Sequence, residues 1–167
     1  MNRALKYSIA FILLIVIQLL VFNNIQFSGY INPYIYVMFI IMLPVAIPSW
    51  IILLICFATG MVVDAFSGTM GVHTFATVMA GFARPWILSL NVTNETGDAW
   101  ASVSVRNYGL RWFSIITLMV VFIHHLSLFY VEVFSFTGFF RTLLRVIAST
   151  AFSTFFIITF DLIRSRR

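Results

Sequence analysis

Asp64 stands where a bare carboxylate is not tolerated. It follows Trp50 by 14 residues in an almost unbroken apolar run. On a helix that places it about 21 Å along a hydrocarbon core of about 30 Å. At such a depth a carboxylate must be paired, hydrogen-bonded or hydrated. Two arrangements satisfy this. In the first, the helix ends here and Asp64 caps a turn made by Ser67, Gly68 and Gly71. In the second, Asp64 forms a buried ion pair that locks helices together. Arg145 is the partner matched in depth, about 9 Å from the same side of the membrane, and Arg141 lies one turn away on the same face. For both arginines the alternative is snorkelling to lipid headgroups. Gly60, Asp64 and Gly68 are spaced by four, and Gly71 comes one turn later. Small residues at that spacing let helices approach closely in lipid, and glycines also permit tight turns.

Other polar side chains carry weaker signals. His124 and His125 are adjacent, so on a helix they point about 100° apart and are poorly placed to share a metal. Inter-helical hydrogen bonding is the better reading. The hydroxyls between Ser149 and Thr159 are expected to bond to the preceding turn or to a neighbouring helix. Asp161 and Arg164, three apart, are expected to pair. The motifs of serine hydrolases, zinc proteases and phosphate-binding loops are missing from the sequence. Its five acidic residues are scattered. No cofactor or metal site is expected, and catalysis would need a reactive pair that the sequence does not offer.

The elements that must position these residues are membrane helices. The 167 residues are 62% hydrophobic and 9% charged, with a mean hydropathy of +1.04, against roughly 45–50% apolar and about 25% charged in soluble domains. No soluble interior of this size hides so much apolar surface. An all-α integral membrane bundle in a single domain, 1–167, is expected. Six spans are expected at about 5–22, 30–47, 50–66, 71–90, 110–131 and 139–163, with a polar loop at 91–109 that reads as a solvated linker. The first apolar run has no small-residue cleavage pattern and is expected to remain as an anchor. The net charge of +5 does not point to nucleic acid, because the basic residues cluster at the ends of apolar runs. Placing both termini in the cytoplasm puts Arg3, Lys6, Arg84, Arg106, Arg111, Arg164, Arg166 and Arg167 inside and only Arg141 and Arg145 outside, as the positive-inside rule favours. Trp50, Trp86 and Trp112 then fall near the cytoplasmic boundary. Cys56 is the only cysteine and makes no internal disulfide. Two glycosylation sequons, at Asn91 and Asn94, face the cytoplasm in this topology and carry no weight.

The segment Gly60-Met-Val-Val-Asp64-Ala-Phe-Ser-Gly68-Thr-Met-Gly71-Val-His-Thr resembles the signature region of the rod shape-determining protein MreD family. Phe82-Ala-Arg84-Pro85-Trp86-Ile follows at a similar spacing, and Val21-Phe22-Asn23-Asn24 marks a similar boundary after the first span. The resemblance covers nearly the whole chain but is strong only over residues 43–88. It implies a non-enzymatic subunit of the bacterial elongation machinery in the cytoplasmic membrane. Such a subunit associates with the single-span protein MreC, and through it with MreB filaments, the RodA glycosyltransferase and a class B penicillin-binding protein. It also implies a fold similar to the substrate-binding component of energy-coupling-factor vitamin transporters, with the signature on Gly60, Asp64, Gly68 and Gly71. Arg84, Arg141 and Arg145 complete the set of structural or partner-interface candidates. The competing reading is a substrate-binding transport component, with Asn23, Asn24, Asn32, Asp64 and His73 as the polar groups of an outward pocket.

Overall fold

The computed structural model describes residues 3–24, 31–90, 99–134 and 138–165, with side chains from Leu5 onward. All the described elements are helical. They are α1 (Arg3–Leu20), a 3-10 turn (Phe22–Asn24), α2 (Val37–Met42), α3 (Ser49–Ser67), α4 (Val72–Ser89), α5 (Val105–Val133) and α6 (Phe139–Ser165). Among the described residues four segments, Leu5–Asn24, Ser49–Ser67, Val105–Val133 and Phe139–Ser165, are long and apolar enough to cross a membrane.

The distribution of side chains is that of a protein with apolar surroundings. Large apolar residues such as Leu20, Phe66 and Phe155 are 65–72% exposed. The interior in turn holds Gln18, Asp64, His73, Arg84, His124, His125, Ser149, Ser153 and Asp161. In water an apolar exterior of this extent drives association, whereas lipid solvates it without cost.

The helices alternate in direction. The C-terminal ends of α1, α3 and α5 meet the N-terminal ends of α4 and α6 at one end of the bundle, here the Asp64 end. At the opposite end, here the tryptophan end, lie exposed Trp50, Trp86 and Trp100.

The expected second span is not one helix. Only α2, six residues long, is helical, and the flanking backbone is extended or turned. This segment nevertheless runs from the Asp64 end, where Asn32 lies, to Pro48 at the start of α3. It is enclosed by the bundle: Ile35, Tyr36, Val37, Ile40 and Ile41 have no exposed surface. Non-helical backbone is tolerated at membrane depth only when protein satisfies its polar groups, and here side chains do so. Gln18 Oε1 accepts from the Ile35 N–H (2.7 Å), and Gln18 Nε2 donates to the Pro33 carbonyl (3.2 Å). Ser149 and Ser153 of α6 accept from the Asn32 and Tyr34 N–H groups at 3.1 and 2.9 Å. The serines of α6 thus serve a broken neighbouring segment, which no helix-by-helix reading anticipates.

α3 and α4 form a tight hairpin through two glycines. A methyl group on Gly60 would run into the Thr74 backbone, and one on Gly81 would run into the Cys56 sulfur. In the expected 91–109 loop, residues 91–98, with both sequons, lie outside the described residues. The remainder is not all linker, because α5 begins at Val105 and bends at Gly109, whose φ is 74°.

Candidate functional site

The candidate site is the turn between α3 and α4 and the hollow beside it. α3 stops after Ser67 because Gly68 adopts φ 66°, a left-handed conformation that side chains resist, and its N–H closes on the Asp64 carbonyl. The Thr69 N–H donates to the same carbonyl at 3.1 Å. Gly71, with φ 82°, then launches α4. Nothing crowds either glycine, so backbone conformation and not close packing is what they supply.

The same aspartate that ends α3 with its carbonyl starts α4 with its carboxylate. Asp64 Oδ1 accepts from the His73 N–H (3.0 Å) and Oδ2 from the Thr74 N–H (2.9 Å). These are first-turn donors that lack partners within the helix, and an anion there also meets the positive end of the helix dipole. The Thr69 and Thr74 hydroxyls donate at 2.5 and 2.6 Å. His73 Nδ1 lies 3.0 Å from Oδ1 and 2.9 Å from the Thr69 hydroxyl. Five contacts thus surround one buried carboxylate. The capping arrangement is the one adopted.

The alternative arrangement, an ion pair between Asp64 and Arg145, does not form. Arg145 instead meets Glu132 of α5 at 3.1 Å and lies 4.1 Å above the Phe129 ring, and it donates to Asn32 at 2.9 Å once the Asn32 amide is turned to present its oxygen. Depth alone suggested the pairing. The carboxylate nearest in sequence to Arg145 is Glu132, one short connection away, and Asp64 already has enough local donors. Arg141 is on the exposed face of the first turn of α6.

Arg84 is also not where the positive-inside argument placed it. It is 1% exposed, and its guanidinium donates to the Ile41 (3.3 Å) and Leu43 carbonyls at the end of α2. It serves the broken segment instead of flanking the membrane. Removing it from the charge count leaves the basic bias unchanged in direction.

Beside the Asp64 turn, a hollow of about 370 Å³ is lined by Asn23, Asn32, Tyr34, Thr69, His73 and Glu132 among others. Tyr34 and His73 of this lining belong to a cluster of rings that extends into the interior. Tyr34 packs on His73, His124 and His125 with centroids 5.4–5.8 Å apart. Tyr36 Oη and His124 Nε2 lie 2.7 Å apart, and His125 Nε2 meets Ser153 at 3.2 Å. The adjacent histidines therefore bond to two different segments, His125 to α6 as expected and His124 to the broken segment ahead of α2, and among the described residues no group of three ligating side chains could hold a metal. Asp161 and Arg164 pair as expected. Of the sequence-derived candidates, Gly60, Asp64, Gly68 and Gly71 assemble into one unit, Arg145 stands at the edge of the hollow, and Arg84 and Arg141 lie apart. Gln18 and Gly81 were missed, although a glutamine inside an apolar span was a usable signal. No family profile, curated protein or solved structure matches this chain.

Proposed function

We propose that this chain is a non-catalytic, multi-pass subunit of the bacterial cell-elongation machinery, of the MreD kind. It would link an MreC-like single-span protein and the peptidoglycan synthases outside to MreB filaments inside. The observation that carries this reading is the Asp64 turn. Residues that match the family signature each have a distinct task in it: Gly60 allows close helix contact, Asp64 joins two helices, and Gly68 and Gly71 make the reversal. A hairpin held so firmly suits a scaffold, whose work is to present a fixed surface.

In this reading the chain crosses the cytoplasmic membrane six times with both termini inside. Residues 31–48 make the second, broken crossing and α4 the fourth. The fold is then of the kind used by substrate-binding components of vitamin transporters. The tryptophan end would face the cytoplasm, consistent with Lys6, Arg106, Arg111 and Arg164 there. RodA and a class B penicillin-binding protein are reached through the MreC-like partner.

A second reading, a substrate-binding transport component, is favoured by the hollow and by the broken segment that borders it, since broken helices border midplane sites in transporters. One experiment separates the two. The protein is depleted in its host while cell shape is followed, and membrane crosslinking identifies what copurifies. Rounded, swelling cells and capture of a single-span partner with the elongation enzymes are expected. Normal shape with loss of uptake of one nutrient would overturn the scaffold reading in favour of transport.

A further inference from the structure

At the tryptophan end, opposite the hollow described above, lies a second concavity of about 600 Å³. Its walls come from the first turns of α1, from residues 100–107 and from the end of α6, and its charged lining is Lys6, Arg106 and Arg164. Among the described residues no carboxylate lines it. Asp161 is fully buried behind it and already engaged: Oδ2 accepts from the Val105 N–H at 2.7 Å, and Oδ1 takes the Arg164 guanidinium. Among the described residues, three cations against one committed carboxylate leave a net charge of +2 (3 − 1). Among the described residues neither Lys6 nor Arg106 has a carboxylate within ion-pair distance.

The surroundings tell what kind of anion fits. Leu5, Leu110 and Ile163 on the three contributing helices are all more than half exposed, and Trp100 at the rim is 52% exposed. A tryptophan at the edge of apolar helices marks the headgroup level of a bilayer. The cations thus sit where a phosphate would lie, with apolar helix faces running down from them where acyl chains would lie. A free phosphate would use only the first feature, and an anionic lipid uses both.

We propose that this basic concavity binds the phosphate headgroup of an anionic phospholipid, which bridges α1, α5 and α6. Lys6 and Arg106 contribute attraction, each worth about fivefold in affinity at a membrane surface. Arg164 is turned partly towards the site but remains tied to Asp161. The proposal rests on the chain lying in a membrane and not on its role in cell elongation, so either can fail alone.

The test is native mass spectrometry of the full chain released from mixed micelles containing equal amounts of phosphatidylglycerol and phosphatidylcholine. Phosphatidylglycerol adducts are expected to dominate. The double variant Lys6→Gln/Arg106→Gln should lower their preference by about 25-fold, while Lys6→Arg/Arg106→Lys retains it and Arg111→Gln, outside the lining, leaves it unchanged. Lys6 and Arg106 are exposed, so these changes should be tolerated by the fold. Equal binding of the two lipids would overturn the proposal, as would a preference that survives the double variant. Displacement of phosphatidylglycerol by millimolar glycerol 3-phosphate would also overturn it, by assigning the site to a soluble phosphate.

Discussion

Asp64 and Arg84 are both buried charges, set near opposite ends of the same α3–α4 hairpin, yet they are held in different ways. Asp64 is satisfied within ten residues of itself, by Thr69, His73 and Thr74. Arg84 reaches 41 and 43 residues back, to carbonyls of the broken segment. Its Nε has no hydrogen-bond partner, and no carboxylate among the described residues is paired with it. The difference teaches that a buried charge can either organise its own neighbourhood or be recruited to repair someone else's backbone. The first should be costly to remove. The second should be cheaper, because deletion also relieves the burial of a lone cation.

The largest effect that could break this comparison is at Asp64. Asp64→Ala strands two first-turn N–H groups and two hydroxyls, and should destabilise the protein by about 3 kcal/mol or more in reversible unfolding from mild detergent. Asp64→Asn, which keeps one carbonyl acceptor, should recover part of that loss. Arg84→Met, measured in the same way, should cost about 1–2 kcal/mol, from the two carbonyls left bare. If Arg84→Met proved the more damaging, the distinction drawn between the two charges would be wrong.

Gln18→Leu should fall close to Arg84→Met, near 2 kcal/mol, since it too removes support from the broken segment 31–48, at Pro33 and Ile35 instead of Ile41 and Leu43. Equal losses at these two sites would mark that segment as one unit supported from both ends.

The close seam between α3 and α4 sharpens the comparison further. Gly81→Ala should cost about 1–2 kcal/mol by overpacking against Cys56, and Cys56→Ala in the same chain should return part of it. No such rescue is expected for Gly60→Ala, where the obstacle is the Thr74 backbone.

The smallest effect is expected at Arg145. Glu132 is 45% exposed, so the Arg145–Glu132 pair should be worth no more than about 1 kcal/mol. Charge exchange between positions 132 and 145 keeps the pair but gives up the Arg145 contact with the Phe129 ring, and should cost about 1 kcal/mol, whereas Asp64→Arg/Arg145→Asp should be no better than Asp64→Arg alone. Rescue by the latter exchange would restore the ion pair that the structure replaces.

What the sequence determined by itself is the class of the molecule and the logic of its local turn. Hydropathy and the scarcity of charge required apolar helices, and glycines four and seven residues after an aspartate supplied the reversal, because both signals act over a few residues. The Asp161–Arg164 pair was legible for the same reason. The partners of the lone polar residues were decided only in the tertiary structure. The apolar run 30–47 has the composition of a span, yet most of it is not helical, since Gln18, Ser149, Ser153 and Arg84 satisfy its backbone from three other helices. Arg145 was matched by depth to an aspartate already saturated by its own loop. Depth along a helix can be counted from a sequence, but rotation about its axis and the choice of neighbour depend on packing between segments far apart in the chain. Those contacts determine which buried group finds which partner.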